Sequence, residues 1–237
     1  MDILKNVTLA PHTTVKIGGL AEYFCQASTK NDLLAALQSP LEPKTILGNG
    51  SNILISDSGA PGLVIKNSVS EIKYLDNNQV LASSGTSLPL LITDTANHHL
   101  TGLEEFAYIP ATLGGAVYCN IHGVNNNNFN KYLTSIEVFD SQSSTIYDLP
   151  SKNLSWGYDF SEFQQNPHLI ILSVILTLSP GNTNQSQKLI GQIINDKSQK
   201  QPLLSLGCVF KNPPNDSAGR IIDQDLKLKG FPLISYS

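Results

Sequence analysis

The sequence predicts an α+β protein made of two domains and part of a third. Segments with the apolar spacing of amphipathic helices are interspersed with short strand-like apolar runs, and clusters of glycine, proline and asparagine separate them. The chain of 237 residues is 41% hydrophobic, which is enough to bury a substantial core. We place the predicted domains at residues 1–67, 68–180 and 181–237.

The first predicted domain combines short strands with one helix. Apolar runs between turn residues predict strands near residues 21–26, 44–47, 52–55 and 62–65. Asn31 is the predicted N-cap of a helix over residues 32–38, and Pro40 and Pro43 end that helix. Residues 7–18 are expected to form an extended lead-in to the first strand.

The second predicted domain begins with a hairpin. Its strands, residues 69–75 and 79–82, are joined by an Asp-Asn-Asn turn, and a helix with regular apolar spacing is expected over residues 88–100. Later strands are predicted at residues 135–139, 145–149 and 169–178, and later helices at 187–200 and 217–227. The last helix has Asp216 or Ser217 as its expected cap.

Composition and charge exclude several classes of protein. The 15 basic and 19 acidic residues give a net charge of -4 without a basic cluster, so we expect no nucleic-acid partner. No apolar run is long enough to span a membrane, and the amino terminus lacks a secretory apolar segment, so we expect a cytoplasmic protein with no membrane partner. The three cysteines are widely spaced, which predicts neither a disulfide framework nor a metal site. The sequence gives no signal for the oligomeric state.

Residues 102–120, called the central segment below, are unusually rich in small residues between two apolar runs. The pattern suits a turn at which the backbone passes close to another group. Gly114 and Gly115 lack the Cβ atoms that would hold a ligand away, and their N–H groups could converge on an anion. The alternative from the residues alone is that small side chains let two elements pack tightly.

Residues 48–52, Gly-Asn-Gly-Ser-Asn, form a second segment of the same kind, called the glycine loop below. A dinucleotide-binding G-x-G-x-x-G pattern would need glycine where Ile53 stands and a helix directly afterwards, so that pattern is excluded. A loop between two strands with free N–H groups could grip a diphosphate without a helix. An ordinary tight turn is the alternative.

Four motifs in one order resemble the UDP-N-acetylenolpyruvoylglucosamine reductase family. They are the lead-in at residues 6–19, the glycine loop with the Ile-Leu-Ile-Ser-Asp run after it, the central segment, and residues 207–213 with Ser-Ala-Gly-Arg at 217–220. Together the motifs span nearly the entire chain. Their common order makes the resemblance more specific than either glycine-rich segment alone.

The resemblance implies an FAD-binding fold of the vanillyl-alcohol-oxidase (PCMH) type, with two flavin-binding subdomains and a third domain over the substrate. It implies FAD as cofactor, NADPH as hydride donor, and as substrate the enolpyruvyl derivative of a UDP-sugar used in peptidoglycan synthesis. The residues implied to hold FAD are Gly48, Asn49, Gly50, Ser51, Asn52, Ile109, Pro110, Ala111, Thr112, Gly114, Gly115, Ala116 and Asn120.

Further residues are implied to serve catalysis and substrate binding. Cys208 occupies the place of the family's serine or cysteine that protonates the substrate, and a thiol with a reference pKa of about 8.5 is mostly protonated at neutral pH. A small buried core residue is the alternative for a lone cysteine. Tyr158, Lys211, Asn212 and Arg220 are implied to contact the substrate's diphosphate and carboxylate. Solvated surface charge is the alternative for the two cations.

The sequence departs from the family pattern at several places. Asp159, after Tyr158, stands where the family has the arginine that polarises the substrate, and an anion beside developing negative charge should oppose the reaction. Relatives continue past the equivalent of Ser237 and supply a glutamate there, so we expect the C-terminal part of the substrate domain to be missing. The family also prefers glycine at Ala111 and an asparagine-alanine-glycine run at residues 120–122.

Three hypotheses for function follow from the resemblance and these departures. The leading one is an FAD-dependent reductase of the peptidoglycan precursor. The second is an FAD-binding carrier, sensor or partner subunit that has lost the reductase chemistry, which Asp159 and the early stop favour. The third is a flavin oxidoreductase for another substrate. Bound flavin without NADPH consumption would support the second, and NADPH oxidation indifferent to the sugar nucleotide would support the third.

Overall fold

The computed structural model describes residues 1–123, 127–199, 205–207 and 209–228. The chain divides into two compact units, Met1–Ser205 and Leu206–Ser237. Within the described part of the chain, no helix is both long and apolar enough to cross a membrane.

A four-stranded sheet lies at the amino-terminal end of the first unit. Its strands are β1 (Leu4–Thr8), β2 (Leu20–Ala27), β3 (Lys44–Leu47) and β4 (Ala60–Asn67). The strand order is β1-β2-β4-β3, with β1 antiparallel to β2 and the other neighbours parallel. Helix α1 (Lys30–Leu37) covers one face and buries Leu33, Ala36 and Leu37 against it.

Three predictions for this region are corrected. Residues 7–18 are not an extended lead-in, because residues 7 and 8 belong to strand β1 and Ala10–His12 form a 3₁₀ turn. Helix α1 is capped by Thr29 instead of Asn31, because Thr29 Oγ1 accepts from Asp32 N–H at 3.1 Å while Asp32 accepts from Thr29 N–H at 3.0 Å. Residues 52–55 are not a strand. Ile53 and Ile55 pack against the core without joining a ladder.

A five-stranded antiparallel sheet forms the larger part of the first unit. Its strands are β5 (Ile72–Leu75), β6 (Gln79–Ser83), β8 (Leu133–Asp140), β9 (Thr145–Pro150) and β12 (Leu169–Thr177), in the order β5-β6-β12-β8-β9. The predicted hairpin is confirmed as the β5–β6 pair. Two short pairs complete the strands: β7 (Leu100–Thr101) with β13 (Ser179–Pro180), and β10 (Trp156–Gly157) with β11 (Phe160–Ser161).

Helices α2 (Leu88–Asn97), α3 (Leu113–Cys119) and α4 (Thr183–Ser198) contribute buried residues to the core beside this sheet. Helix α2 ends before the predicted position because residues 100 and 101 join strand β13 instead. Helix α4 begins earlier than predicted because Asn182 caps it, accepting from Gln185 N–H at 3.1 Å. The central segment, predicted as a turn, contains α3. Thr112 caps this helix through Gly115 N–H.

The described part of the second unit contains one short helical segment. Helix α5 (Ala218–Arg220) continues as a π-helical turn over Ile221–Asp225, two residues short of the predicted end. Ser217 is the cap, because its Oγ accepts from Arg220 N–H at 3.1 Å.

Candidate functional site

The glycine loop and the central segment lie against each other. Asn49 Nδ2 donates to the Pro110 carbonyl at 3.1 Å, and Asn52 Nδ2 lies 3.8 Å from Cys119 Sγ. The glycine loop therefore contacts the central segment at two places, Pro110 ahead of helix α3 and Cys119 at the end of that helix. The family resemblance placed FAD residues in both segments, and the structure brings these two sets together.

The glycines of this site are required by contacts between protein atoms. A Cβ on Gly48 would lie 2.6 Å from Thr112 Oγ1, and one on Gly114 would lie 2.9 Å from the Ser84 Cβ. Gly50 has a φ of +67°, and its Cβ would lie 2.2 Å from the His12 carbonyl oxygen. Tight packing of two elements, the alternative raised for the central segment, thus accounts for Gly114. Close contacts with protein atoms also account for Gly48 and Gly50 of the glycine loop.

The prediction that N–H groups of the central segment converge on an anion is wrong. Gly114 N–H donates to the Ser84 carbonyl at 2.7 Å, and Gly115 N–H donates to Thr112 Oγ1 at 3.3 Å. Both donors are used inside the protein, so they cannot converge on an anion. What the two glycines provide is a surface without side chains at the start of α3.

Lys66 supports the glycine loop from strand β4. Its Nζ donates to the Gly48 carbonyl, and Lys66 lies beside Leu47 in the parallel β3–β4 register. Burial lowers the pKa of Lys66 from its ordinary value. The pKa of His12 is lowered as well, first by burial and then by the charges of Lys66 and Lys16. This end of the first sheet thus holds a partly desolvated cation beside the loop.

A cleft of about 400 Å³ opens between the two sheets. The three glycines that line it are Gly48, Gly114 and Gly115. Its polar or amphipathic lining residues are Lys44, Thr45, Asn67, Ser84, Thr112 and Tyr118, and its apolar lining residues are Ile46, Phe163, Pro167, Leu169, Ile170 and Ile171. Such a mixture of apolar walls and a few polar groups is typical of cofactor sites.

The remaining predicted FAD residues lie around this cleft or in the core. Ala116 is fully buried, Ala111 is 9% exposed, and Ile109 packs against the same core cluster. The Ala111 carbonyl accepts from Leu88 N–H at 2.9 Å, which ties the central segment to helix α2. Ser51 is partly exposed within the glycine loop.

Asn120 ends helix α3 and is only 1% exposed. Its φ of +43° is in the left-handed region, which asparagine tolerates better than most residues. Its Nδ2 donates to the Gly157 carbonyl at 2.8 Å, and its Oδ1 accepts from Asn130 N–H at 3.1 Å. The side chain therefore joins α3 to the β10–β11 hairpin.

Tyr158 and Asp159 occupy the turn of that hairpin. Asp159 Oδ1 lies 3.1 Å from His122 Nδ1, and the rings of His122 and Tyr158 have centroids 5.1 Å apart. Gln164 Nε2 donates to the Asp159 carbonyl at 3.1 Å and to the Tyr118 carbonyl at 3.0 Å. Asp159, at the position where the family pattern has arginine, is therefore paired with His122. His122 follows Tyr118, which lines the cleft, by four residues.

Comparison with known proteins identifies the family. A family model described as "FAD binding domain" matches residues 21–149. UDP-N-acetylenolpyruvoylglucosamine reductases from Caldanaerobacter subterraneus and Chlamydia abortus are 32% and 34% identical to the chain, over 96% and 98% of it and 76% and 78% of their own lengths. The crystal structure of UDP-N-acetylenolpyruvylglucosamine reductase from Thermus caldophilus matches with a TM-score of 0.81 and 32% identity, covering 95% of this chain and 80% of that one.

The chain belongs to the UDP-N-acetylenolpyruvoylglucosamine reductase family. Membership confirms the predicted FAD-binding fold of the vanillyl-alcohol-oxidase type, and the matched domain model confirms FAD as the cofactor. The cleft fits this group. Glycines without side chains, the polar groups of Thr112 and Ser84, and apolar walls such as Ile170 suit a ligand with a flat ring system at one end and a diphosphate in the middle.

The residues that the family resemblance assigns to the C-terminal region fall in the second unit. Cys208 lies outside the described residues. Asn212 Oδ1 accepts from Ala218 N–H at 3.0 Å, and Lys211 is exposed. Arg220 forms ion pairs with Asp216 and Asp225, and its hydrogen bond to Asp216 lowers the pKa of that carboxyl to about 2. The roles of these residues in the family reaction stay predictions.

Sequence reasoning missed several residues of the site. Lys66 stood one residue beyond a predicted strand, and only the structure shows its contact with the Gly48 carbonyl. Asn67 Nδ2 donates to Ser84 Oγ at 2.8 Å, so these two buried residues link the sheets behind the cleft. Phe163 stands in the stretch of the family motif that begins at Tyr158, but the sequence assigned it no role in the site. The one signal in the sequence for Lys66 and Asn67 is that these two polar residues directly follow an apolar strand segment.

Proposed function

We propose that the chain is an FAD-dependent reductase that uses NADPH to convert UDP-N-acetylglucosamine enolpyruvate to UDP-N-acetylmuramate, in the cytoplasm where such precursors are made. Family membership supports the reaction class, and one structural observation supports the assignment of the cofactor site to the glycine loop and the central segment. That observation is the contact of the glycine loop with the central segment at the mouth of a mixed polar and apolar cleft.

In this reaction the protein would hold the cofactor, orient the substrate and donate a proton to it. Bound FAD would supply hydride transfer. In the proposed arrangement the glycine loop and residues 109–116 hold the cofactor, with Lys66 fixing the loop through the Gly48 carbonyl. Cys208 would deliver the proton to the substrate carbon, since a thiol with a reference pKa of about 8.5 is a proton donor at neutral pH. Tyr158 and the cations Lys211 and Arg220 would contact the anionic substrate.

A second candidate is an FAD-binding protein of the same family without reductase activity. The observation in its favour is Asp159, a carboxylate at the position where the family pattern has a cation. Negative charge near an oxygen that gains charge in the transition state raises the barrier. The contact with His122 works against this candidate, because a protonated imidazole would balance the carboxylate charge.

Anaerobic stopped-flow absorbance separates the two candidates. The FAD-loaded protein is mixed first with NADPH and then with UDP-N-acetylglucosamine enolpyruvate. We expect the flavin absorbance to fall in the first step and to recover in the second. Recovery with UDP-N-acetylglucosamine, which lacks the enolpyruvyl group, serves as the control and should not occur. No fall in absorbance with NADPH would favour the non-catalytic protein, and a fall without recovery would point to another substrate.

A further inference from the structure

His122 and Asp159 come together although 37 residues separate them in the sequence. Their atoms Nδ1 and Oδ1 are 3.1 Å apart, and the two side chains are 29% and 33% exposed. Both positions depart from the family pattern. The structure therefore joins two unusual residues in one contact at a partly open site.

The two segments that carry this pair are held firmly. Asp159 has a φ of +49°, a conformation that costs free energy in a residue other than glycine and persists only where neighbours enforce it. Gln164 Nε2 holds its carbonyl, and Ser161 Oγ donates to the Tyr118 carbonyl at 2.6 Å. On the other side Asn120, two residues before His122, is bonded to Gly157. The geometry of the pair is thus fixed by backbone contacts on both sides.

The contact determines what the imidazole can do. A carboxylate at Nδ1 accepts the N–H there and so selects the tautomer, which leaves Nε2 as the second ring nitrogen for exchange of a proton. When His122 is protonated, the pair is an ion pair and the carboxylate charge is balanced. The His122–Asp159 pair then has no net charge, and the imidazole Nε2–H is available as a hydrogen-bond donor.

Other titratable groups near His122 are few in the described part of the chain. The Tyr158 ring lies beside it on the hairpin, with ring centroids 5.1 Å apart. Glu105 approaches from the 3₁₀ turn Glu104–Phe106, because a Cβ on the neighbouring Gly123 would lie 2.7 Å from Glu105 Oε2. The imidazole itself thus contacts one carboxylate and lies beside one phenol, and a second carboxylate lies beside Gly123. Among these described groups, only protonated His122 carries a positive charge that can attract an anion.

We propose that His122, positioned by Asp159, binds an anionic oxygen of the nucleotide-sugar substrate in its protonated form. The inference rests on the proposed function for the identity of the ligand, which carries a diphosphate and an enolpyruvyl carboxylate. It assigns the cationic role at this site to an imidazole, and makes substrate affinity depend on pH. Histidine is the side chain that ordinarily changes charge between about pH 5 and pH 8.

The test measures binding without turnover. Calorimetric titration of the oxidised, FAD-loaded protein with UDP-N-acetylglucosamine enolpyruvate is made at about pH 6 and about pH 8. We expect wild type to bind about tenfold more tightly at the lower pH. His122→Gln should bind weakly at both values, with the pH dependence lost. Asp159→Asn should lose affinity and shift the dependence, since it removes the group that orients the imidazole.

A matched control is available on the surface of helix α2. His98 Nδ1 lies 3.9 Å from Asp94 Oδ2, so His98→Gln also removes a histidine near an aspartate. This variant should bind substrate as wild type does. Titration with UDP-N-acetylglucosamine distinguishes the two anionic groups. If its affinity also falls in His122→Gln, the diphosphate is the partner, and if it does not, the carboxylate is.

The His122 imidazole can also be observed directly in the wild-type protein by NMR. In wild type, the carbon-bound proton resonance of His122, assigned by its absence in His122→Gln, should move when substrate is added. The inference about His122 would be wrong if a folded His122→Gln that retains FAD had unchanged affinity and pH dependence, or if the resonance did not move. Either result would leave the proposed function standing. Wild type that retains FAD but binds no enolpyruvyl nucleotide would overturn the proposed function, and the inference with it.

Discussion

Gly48 is a residue of the cleft at which one added methyl group should disturb cofactor binding. Its Cβ would lie 2.6 Å from Thr112 Oγ1, an atom already fixed by the bond from Gly115 N–H. Relief requires the loop or the start of helix α3 to move, and such overpacking costs about 1–3 kcal/mol. We expect Gly48→Ala to weaken FAD binding by about tenfold or more, measured by titration of flavin fluorescence.

Gly191 provides the matched control for that substitution. It lies within helix α4, and a Cβ there would meet no atom within 4 Å. Gly191→Ala should leave FAD affinity unchanged and raise the free energy of unfolding by up to about 1 kcal/mol, because alanine favours the helix. Wild-type FAD affinity in Gly48→Ala would show that close contact with Thr112 does not shape the cofactor site.

Cys208 can be tested by a pair of substitutions that differ in one oxygen. If the thiol delivers the proton to the substrate, Cys208→Ala should lower turnover by about 100-fold or more, whereas Cys208→Ser retains a hydroxyl that can act in the same way. Flavin reduction by NADPH should be equal in both, because the proton is needed only in the second half of the reaction. An alanine variant with wild-type turnover would show that Cys208 is not the donor.

At the scale of whole elements, a buried carboxylate joins helix α4 to the central segment. Glu104 is 5% exposed and accepts from Ser186 Oγ at 2.5 Å, Thr101 Oγ1 at 2.6 Å and Gly102 N–H at 2.8 Å. Ser186→Ala removes one donor from a buried anion, so urea unfolding at neutral pH should show a loss of about 1–3 kcal/mol. Ser198→Ala removes only an exposed bond at the end of α4 and should cost about 0.5 kcal/mol at most.

The same carboxylate should make the stability of the first unit sensitive to acid. Burial raises the pKa of Glu104, but the hydrogen bonds from Ser186, Thr101 and the backbone outweigh it and hold the pKa below its ordinary value. This stabilising contribution is therefore fully present above the unfolded pKa of about 4.3 and is lost as pH falls through the lower folded value. Glu104→Gln should flatten this part of the curve of unfolding free energy against pH. A curve of unchanged shape would mean that Glu104 does not contribute to the acid sensitivity.

The elements differ in how well the sequence predicts them. Strand β12 was found because nine consecutive residues carry a strong apolar and β-branched signal. Helix α3 was missed because two adjacent glycines lower helix propensity, although its cap is local: Thr112 Oγ1 accepts from Gly115 N–H. The glycine loop and the central segment were both recognised as sites of close approach. That they approach each other, and that His122 meets Asp159, depends on tertiary folding.

At the scale of the first unit, the cleft draws its walls from both sheets. Ile46 belongs to β3 and Gly48 follows it, Ile170 and Ile171 belong to β12, and Thr112 caps helix α3 between them. Loss of either sheet would remove one wall. The site is consequently a property of the packed unit, which explains why neither glycine-rich segment could be assigned to a cofactor without the family resemblance.

FAD should therefore stabilise both sheets together. A ligand that binds only the folded state, at a free concentration of about 100 times Kd, adds about 2.7 kcal/mol to the free energy of unfolding. Hydrogen exchange monitored by mass spectrometry should show slower exchange on FAD addition in β3 and in β12, because opening either strand releases the ligand. The edge strands β1 and β5 do not line the cleft and serve as internal controls, with protection there no greater than global unfolding explains. Protection confined to β3 would mean that FAD is held by the glycine loop alone, and that the five-stranded sheet contributes no wall to the cofactor site.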